Sequence, residues 1–164
     1  MNLTSLTGRA LVRRLVAEPA WIGQQLRLSG QLMDVGSGNG SPGIPLYATR
    51  SLQKAFLIEA RAKRAAFLRH MAGKLRASGV SVEESRIEEL EELESSVDWI
   101  TLQAVRYSAS LGVVLRRFSL PTTKVVWFTS QSPCPAEGAK ALTVPGSKTQ
   151  VWIFRLDQSC PAPS

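Results

Sequence analysis

The chain has 164 residues, 44% hydrophobic and 20% charged, with a net charge of +7 and an isoelectric point near 10. That size supports a single domain with one core, and no apolar run approaches the ~18 residues of a membrane span. Two cysteines and one histidine argue against a disulfide framework, a bound metal and a histidine-dependent triad.

Met1-Asn2-Leu3-Thr4-Ser5 lacks the basic region and apolar core of a signal peptide, so a cytoplasmic location is expected. Leu6–Glu18 predicts a helix, with Leu11 and Leu15 at i, i+4 and Pro19 just beyond its end. Arg9, Arg13 and Arg14 begin a basic distribution that continues in Arg61, Lys63, Arg64, Arg69, Lys74 and Arg76 and again in Arg116 and Arg117. Such an excess favours anionic partners, nucleic acid first, although each cluster taken singly reads as a solvated helix face.

Gln31–Val35 predicts the first strand. It runs into Asp34-Val35-Gly36-Ser37-Gly38-Asn39-Gly40-Ser41-Pro42-Gly43-Ile44-Pro45-Leu46, a strand, a glycine turn and the start of a helix over Pro42–Arg50. Glycines at alternate positions permit a tight turn and let a ligand lie against the chain with no Cβ in the way. Pro42 suits the helix's first turn, and the unpaired N–H groups there are expected to face the ligand. Gly38, Gly40 and Gly43 satisfy the G-x-G-x-x-G pattern of dinucleotide sites, and Glu59 follows Gly40 by nineteen residues, near the usual ~20. The glycines alone therefore leave the cofactor open.

Lys54–Glu59 predicts a second strand ending in an acid. Ala60–Ser78 predicts a long helix with Ala65, Leu68, Ala72 and Leu75 on one side and Gly79 as its C-cap. Val80–Glu83 reads as a third strand, followed by the acidic stretch Arg86–Glu94. Val97–Ala104 is a fourth strand, Ser108–Arg117 a helix and Lys124–Thr129 a fifth strand. Ala139–Val144 and Thr149–Leu156 form two last strands joined by Pro145-Gly146-Ser147-Lys148. Ser130–Gly138 reads as a loop. Residues 1–157 are expected to form the domain and residues 158–164 a disordered tail. Cys134 and Cys160 read as free thiols, and His70 as a surface or structural residue.

Strands alternating with helices imply a mostly parallel sheet, and the closing hairpin adds antiparallel pairing. Asp34 at the end of the first strand, just ahead of Gly-x-Gly-x-Gly, resembles the S-adenosylmethionine-dependent methyltransferases of the Rossmann-like class. The resemblance implies an α/β Rossmann-like fold and a loop for the amino-acid end of that cofactor rather than for a pyrophosphate. Glu59 would take the ribose hydroxyls.

Further segments narrow the resemblance. They are Asn2-Leu3-Thr4-Ser5, Asp34–Gly38 with Pro42-Gly43-Ile44-Pro45-Leu46, Lys63-Arg64 with Phe67-Leu68, Arg86-Ile87-Glu88-Glu89, and Arg106 with Ala109-Ser110-Leu111. Together they resemble the ribosomal RNA small subunit methyltransferase G family, also called glucose-inhibited division protein B, over nearly the whole chain. That resemblance implies methylation of the seven-position nitrogen of a guanine in small-subunit (16S) ribosomal RNA by a monomeric enzyme. Asp34, Gly36, Gly38 and Ser41 would line the cofactor, Ile87 and Glu88 would flank its adenine, and Arg106 would lie at the mouth shared with the substrate. Arg9, Arg13, Arg14 and Lys148 would meet RNA phosphates. No residue is assigned as a chemical catalyst, and no metal is expected.

The chain also departs from that pattern. Arg14 and Ala17 stand where the family usually has His and Asp, and Ser130 and Gln131 where it has Lys-Gly. The family also extends further at its N-terminus. These departures leave two alternatives: a methyltransferase of the same fold acting on another substrate, or a non-catalytic RNA-binding derivative.

Overall fold

The computed structural model describes residues 7–129, 136 and 138–156. The Asn2–Ser5 segment, Ser130, Gln131, Cys134, Cys160 and the 158–164 tail lie outside the described residues. Helix α1, Gly8–Val12, passes through a π turn, Arg13–Ala17, directly into α2, Glu18–Gln25. The helical segment thus runs on past Pro19, where the sequence suggested an end. Pro19 falls in the first turn of α2, where its missing N–H and fixed φ are tolerated. The change of step is visible at Glu18, whose N–H bonds the carbonyl of Arg13, five residues back.

Seven strands build one sheet: β1 Ser29–Val35, β2 Ser51–Ile58, β3 Val80–Glu83, β4 Val97–Gln103, β5 Ser119–Thr129, β6 Lys140–Thr143 and β7 Gln150–Arg155. Their order is β3-β2-β1-β4-β5-β7-β6. The first five run parallel, and β7 runs antiparallel to both β5 and β6. The parallel strands carry apolar side chains on both faces, as a sheet covered on both sides requires. Leu32, Ala55, Trp99, Val126 and Phe128 pack with Ile22 of α2 and Leu46 of helix α3, Gly43–Thr49. Met33, Phe56, Ile100, Leu102 and Trp127 pack on the other side with Leu111 and Leu115 of α5, Ala109–Arg116. Helix α4, Ala62–Lys74, buries Ala65, Leu68 and Ala72. Because β1 pairs with β2 on one side and β4 on the other, the crevice outside their C-terminal ends is the topological switch point of the sheet.

Helix α4 and strand β5 also differ from the sequence expectation. Helix α4 stops at Lys74, leaving Leu75 51% exposed, and Arg76 rather than Gly79 takes the left-handed backbone, at φ 51°. Gly79 is needed for close approach instead. A Cβ there would stand 2.4 Å from the Gln53 carbonyl oxygen, and its N–H donates to the Tyr47 hydroxyl at 3.0 Å. Strand β5 starts at Ser119, five residues before Lys124. The register slips between Val97↔Ser119 and Trp99↔Lys124, and the Thr123 hydroxyl fills the irregularity by donating to the Val97 carbonyl while accepting from the Leu120 N–H.

Candidate functional site

The glycine loop crosses the C-terminal end of β1 with Gly36, Gly38 and Gly40 at φ 72°, 53° and 92°. A side chain at any of the three would be forced into the left-handed region. The loop's amides turn inward. Those of Gly36 and Ser37 both donate to the Ile58 carbonyl, at 2.9 and 3.0 Å, and that of Gly40 to the Ser37 carbonyl at 2.7 Å. The Ser41 N–H donates to Asn39 Oδ1, and the Ile44 N–H to the Gly40 carbonyl. The N–H groups expected to face a ligand are thus already engaged, and what the loop offers is a surface without Cβ atoms.

Both acidic residues singled out by sequence belong to this internal scaffold. Asp34 is 1% exposed. Its Oδ1 accepts from the Thr101 hydroxyl at 2.7 Å, and its Oδ2 from the Gly43 N–H at 3.3 Å. Burial pushes its carboxyl up to about 6, against the pull of those hydrogen bonds. Glu59, 5% exposed, accepts from the Gly38 N–H through Oε2 and from the Arg61 N–H through Oε1, each at 2.9 Å. Asp34 therefore points into the fold, away from the loop's open face, and Glu59 is shared between loop and α4. Gly43 completes the arrangement, since a Cβ there would meet Asp34 Oδ2 at 2.8 Å and Leu57 Cδ2 at 2.5 Å.

Three adjoining cavities open along the C-terminal ends of β1, β4 and β5. The first, about 320 Å³, is bounded by Gly36, Gly38, Ser41, Arg14, Arg64 and Gln103. The second, about 220 Å³, lies between Val35, Ile87, Glu88, Val105 and Arg106. The third, about 620 Å³, is walled by Arg14, Gln103, Arg106, Trp127, Lys148 and Thr149. Gln103 and Arg14 border the first and third, and Val105 and Arg106 the second and third. The Ser41 hydroxyl donates to Gln103 Oε1 at 3.1 Å, tying the glycine loop to the end of β4. Trp127 Nε1–H donates to the Val105 carbonyl at 2.8 Å and steadies the segment between β4 and α5, whose start Ser108 caps by accepting from the Leu111 N–H.

The structure thus brings Gly36, Gly38, Ser41, Ile87, Glu88 and Arg106 to one contiguous cleft. Of the four basic residues assigned to RNA, Lys148 lies exposed on the rim of the third of these cavities and Arg9 is exposed on α1. Arg13 donates to the Pro145 carbonyl at 2.9 Å. Arg14 lies inside, on the wall between two cavities. Its Nη1 donates to Glu18 Oε2 at 2.9 Å and to Thr149 Oγ1 at 2.6 Å. Burial works to raise the Glu18 carboxyl, but donors from Ser147, Arg14 and Thr149 and the Arg14 charge outweigh it and hold it low. Gln103, Val105, Arg64 and Trp127 were not singled out as site residues. A polar residue closing an apolar strand at the switch point, as Gln103 does, is the signal that was available.

No helix among the described residues is long and apolar enough to cross a membrane. Residues 1–139 match the family model described as GidB, rRNA small subunit methyltransferase G. The chain is 46% identical over 92 residues to the ribosomal RNA small subunit methyltransferase G of Desulfotalea psychrophila, covering 55% of this chain and 42% of that protein. It is 37% identical over 114 residues to the protein of that name from Xanthomonas oryzae pv. oryzae, covering 69% and 53%. The chain spans about half the length of the curated relatives it matches. Among solved structures, a putative methyltransferase, yhhF, from Escherichia coli superposes with a TM-score of 0.67 at 15% identity, over 96% of this chain and 92% of that one. A SAM-dependent methyltransferase from Aquifex aeolicus does so with a TM-score of 0.66 at 14% identity, over 89% and 93%. The fold is the Rossmann-like α/β fold of methyltransferases, with a mostly parallel sheet and an antiparallel C-terminal hairpin.

Proposed function

The chain belongs to the rRNA small subunit methyltransferase G family, and from that premise we propose that it methylates the seven-position nitrogen of a guanine in small-subunit ribosomal RNA, using S-adenosylmethionine. The observation that carries the choice of cofactor is the inward turn of the loop amides. A pyrophosphate is held by several free N–H donors at a glycine turn and helix N-terminus. Here the amides of Gly36, Ser37, Gly38, Gly40, Ser41, Gly43 and Ile44 all donate within the protein. A cofactor that needs close approach to a Cβ-free surface, rather than a cradle of amides, fits this loop.

The residues present fit that group. Gly36 and Gly38 would lie against its amino-acid end. Ile87 and Glu88 would border its adenine with an apolar and an acceptor wall, and Glu59 would stand behind the loop at the ribose. When bound, S-adenosylmethionine supplies an activated methyl on a sulfonium sulfur. The seven-position nitrogen of guanine carries an in-plane lone pair and no proton, so the chain need not provide a general base. Its contribution is alignment and electrostatics. The third cavity, sharing the walls Arg14, Gln103 and Arg106 with the other two, receives the acceptor base. Lys148 at its rim and Arg9, exposed on α1, would meet phosphates, which positions RNA without reading its sequence.

The test is calorimetric titration with S-adenosylmethionine and, as control, NAD, followed by transfer of labelled methyl to small-subunit RNA and nucleoside mass spectrometry. Saturable binding of the first cofactor and appearance of 7-methylguanosine are expected. Binding of NAD instead would overturn the reading, and methylation of another molecule would retain the cofactor but replace the substrate.

A further inference from the structure

The loop geometry leaves one part of the proposed cofactor unaccounted for. Its amino-acid end carries a carboxylate, and the backbone N–H groups of Gly36, Ser37, Gly38, Gly40, Ser41, Gly43 and Ile44 are engaged within the protein. Two guanidinium-bearing side chains border the same cavity of about 320 Å³, Arg14 from the π turn and Arg64 from the first turn of α4. We propose that Arg14 and Arg64 form a two-sided clamp for the carboxylate of the cofactor's amino-acid end. The proposal rests on the cofactor reading above.

Arg14 is prepared for this task. Its Nη1 is fixed by Glu18 and Thr149, while neither Nε nor Nη2 meets an acceptor among the described residues. Two donors are therefore left for a ligand, in the fixed fork that suits a carboxylate. Glu18 orients the group from a buried position, with its side chain 5% exposed, and the β6–β7 turn supplies Thr149 and Ser147 around it. Arg64 approaches from across the loop. A Cβ on Gly38 would stand 3.8 Å from its Nη1, so the guanidinium lies directly over the Cβ-free surface. Arg64 takes part in no ion pair among the described residues. Two guanidinium groups against one neutralising carboxylate leave the cavity with an excess positive charge, and Asp34 and Glu59 behind the loop are committed to Thr101, Gly43, Gly38 and Arg61.

The experiment removes the carboxylate from the ligand and the guanidinium from the protein in turn. Wild type, Arg14→Met and Arg64→Met are titrated calorimetrically with S-adenosylmethionine and with its decarboxylated analogue. Wild type is expected to bind the parent about 10- to 100-fold more tightly, the range for a charge-assisted hydrogen bond. Each variant is expected to lose most of that preference while binding the analogue within about twofold of wild type. Arg14→Met also strips Glu18 of its cation, so Arg64→Met, which breaks no ion pair among the described residues, keeps the test sound if the first variant fails to fold. Equal loss for both ligands, or an unchanged preference, would overturn the clamp while leaving the cofactor reading intact. If neither ligand binds wild type, the cofactor reading falls and the clamp falls with it.

Discussion

Glu59 Oε2 accepts the N–H of Gly38 at 2.9 Å, and the same carboxylate takes the Arg61 N–H through its other oxygen. One acidic side chain at the end of β2 therefore sets both the glycine loop and the entry to α4. Glu59→Gln replaces an acceptor with an NH₂ donor that faces one of these two amides. It is expected to destabilise the ligand-free protein by about 1–3 kcal/mol, the cost of an unsatisfied buried donor, and to weaken cofactor binding as the loop loosens. Urea unfolding without ligand separates this from a role in ribose binding alone, which would leave ligand-free stability unchanged.

Gly36 presents a related case in which two costs are separable. Its φ of 72° disfavours any side chain, and a Cβ there would meet Val105 Cγ2 at 2.8 Å. Gly36→Ala is expected to lose about 1–2 kcal/mol from backbone strain, with a further loss from the displaced valine. In the Val105→Ala background the second loss disappears and the first remains. Comparing the effect of Gly36→Ala in the two backgrounds by thermal or urea unfolding measures the difference.

Much of this was legible because the signals are local. The span of β3 is the one read, Val80–Glu83, and β6 and β7 fall one residue inside each end of the two strands read around the Pro-Gly turn. The glycine loop was legible for the same reason. What could not be read is the direction in which a side chain faces. Asp34 and Glu59 stand at the C-terminal ends of β1 and β2, but burial against Thr101, Gly43, Gly38 and Arg61 turns their carboxylates to the scaffold, and those partners are set by tertiary packing. Arg14 reads as a surface cation in sequence. A π turn and a buried Glu18 on the next helical turn bring it into the cleft, and neither leaves a periodic signature.

Asp34 and Glu18 predict opposite pH dependences. The Asp34 carboxyl rises from 3.8 to about 6 on folding, so between these values the folded state holds more protons than the unfolded state and stability falls as pH rises. The full excursion corresponds to roughly 3 kcal/mol, and the loss is complete once the pH exceeds the folded value. The stability of wild type relative to Asp34→Asn is thus expected to decline from pH 4 to pH 6 and then level off. For Glu18 the carboxyl is lowered from 4.5, so its contribution is present above that value and is lost as pH falls through the depressed one. Relative to Glu18→Gln, wild type should therefore lose stability below about pH 4.5. Urea titrations of the three proteins across pH 3–7 resolve both trends. Opposite slopes in either pair would show that the assigned carboxylate is not the group responsible.

Charge on the RNA side can be separated from charge in the cofactor cavity by salt dependence. Arg9 is exposed on α1, and Lys148 is exposed at the rim of the 620 Å³ cavity of the cleft. A cation that neutralises one phosphate contributes about one unit to the slope of log affinity against log salt. Arg9→Glu and Lys148→Glu are each expected to weaken binding of small-subunit RNA several-fold at low salt, to reduce that slope by about one, and to leave cofactor affinity unchanged. Lys74→Glu serves as a control, because it makes the same charge change at the C-terminal end of α4, where it borders none of the three cavities of the cleft. Electrophoretic mobility shifts over a salt series provide the measurement. If Lys74→Glu weakens binding and flattens the slope as much as the other two, RNA responds to net charge alone, and the approach over Arg9 and Lys148 is wrong.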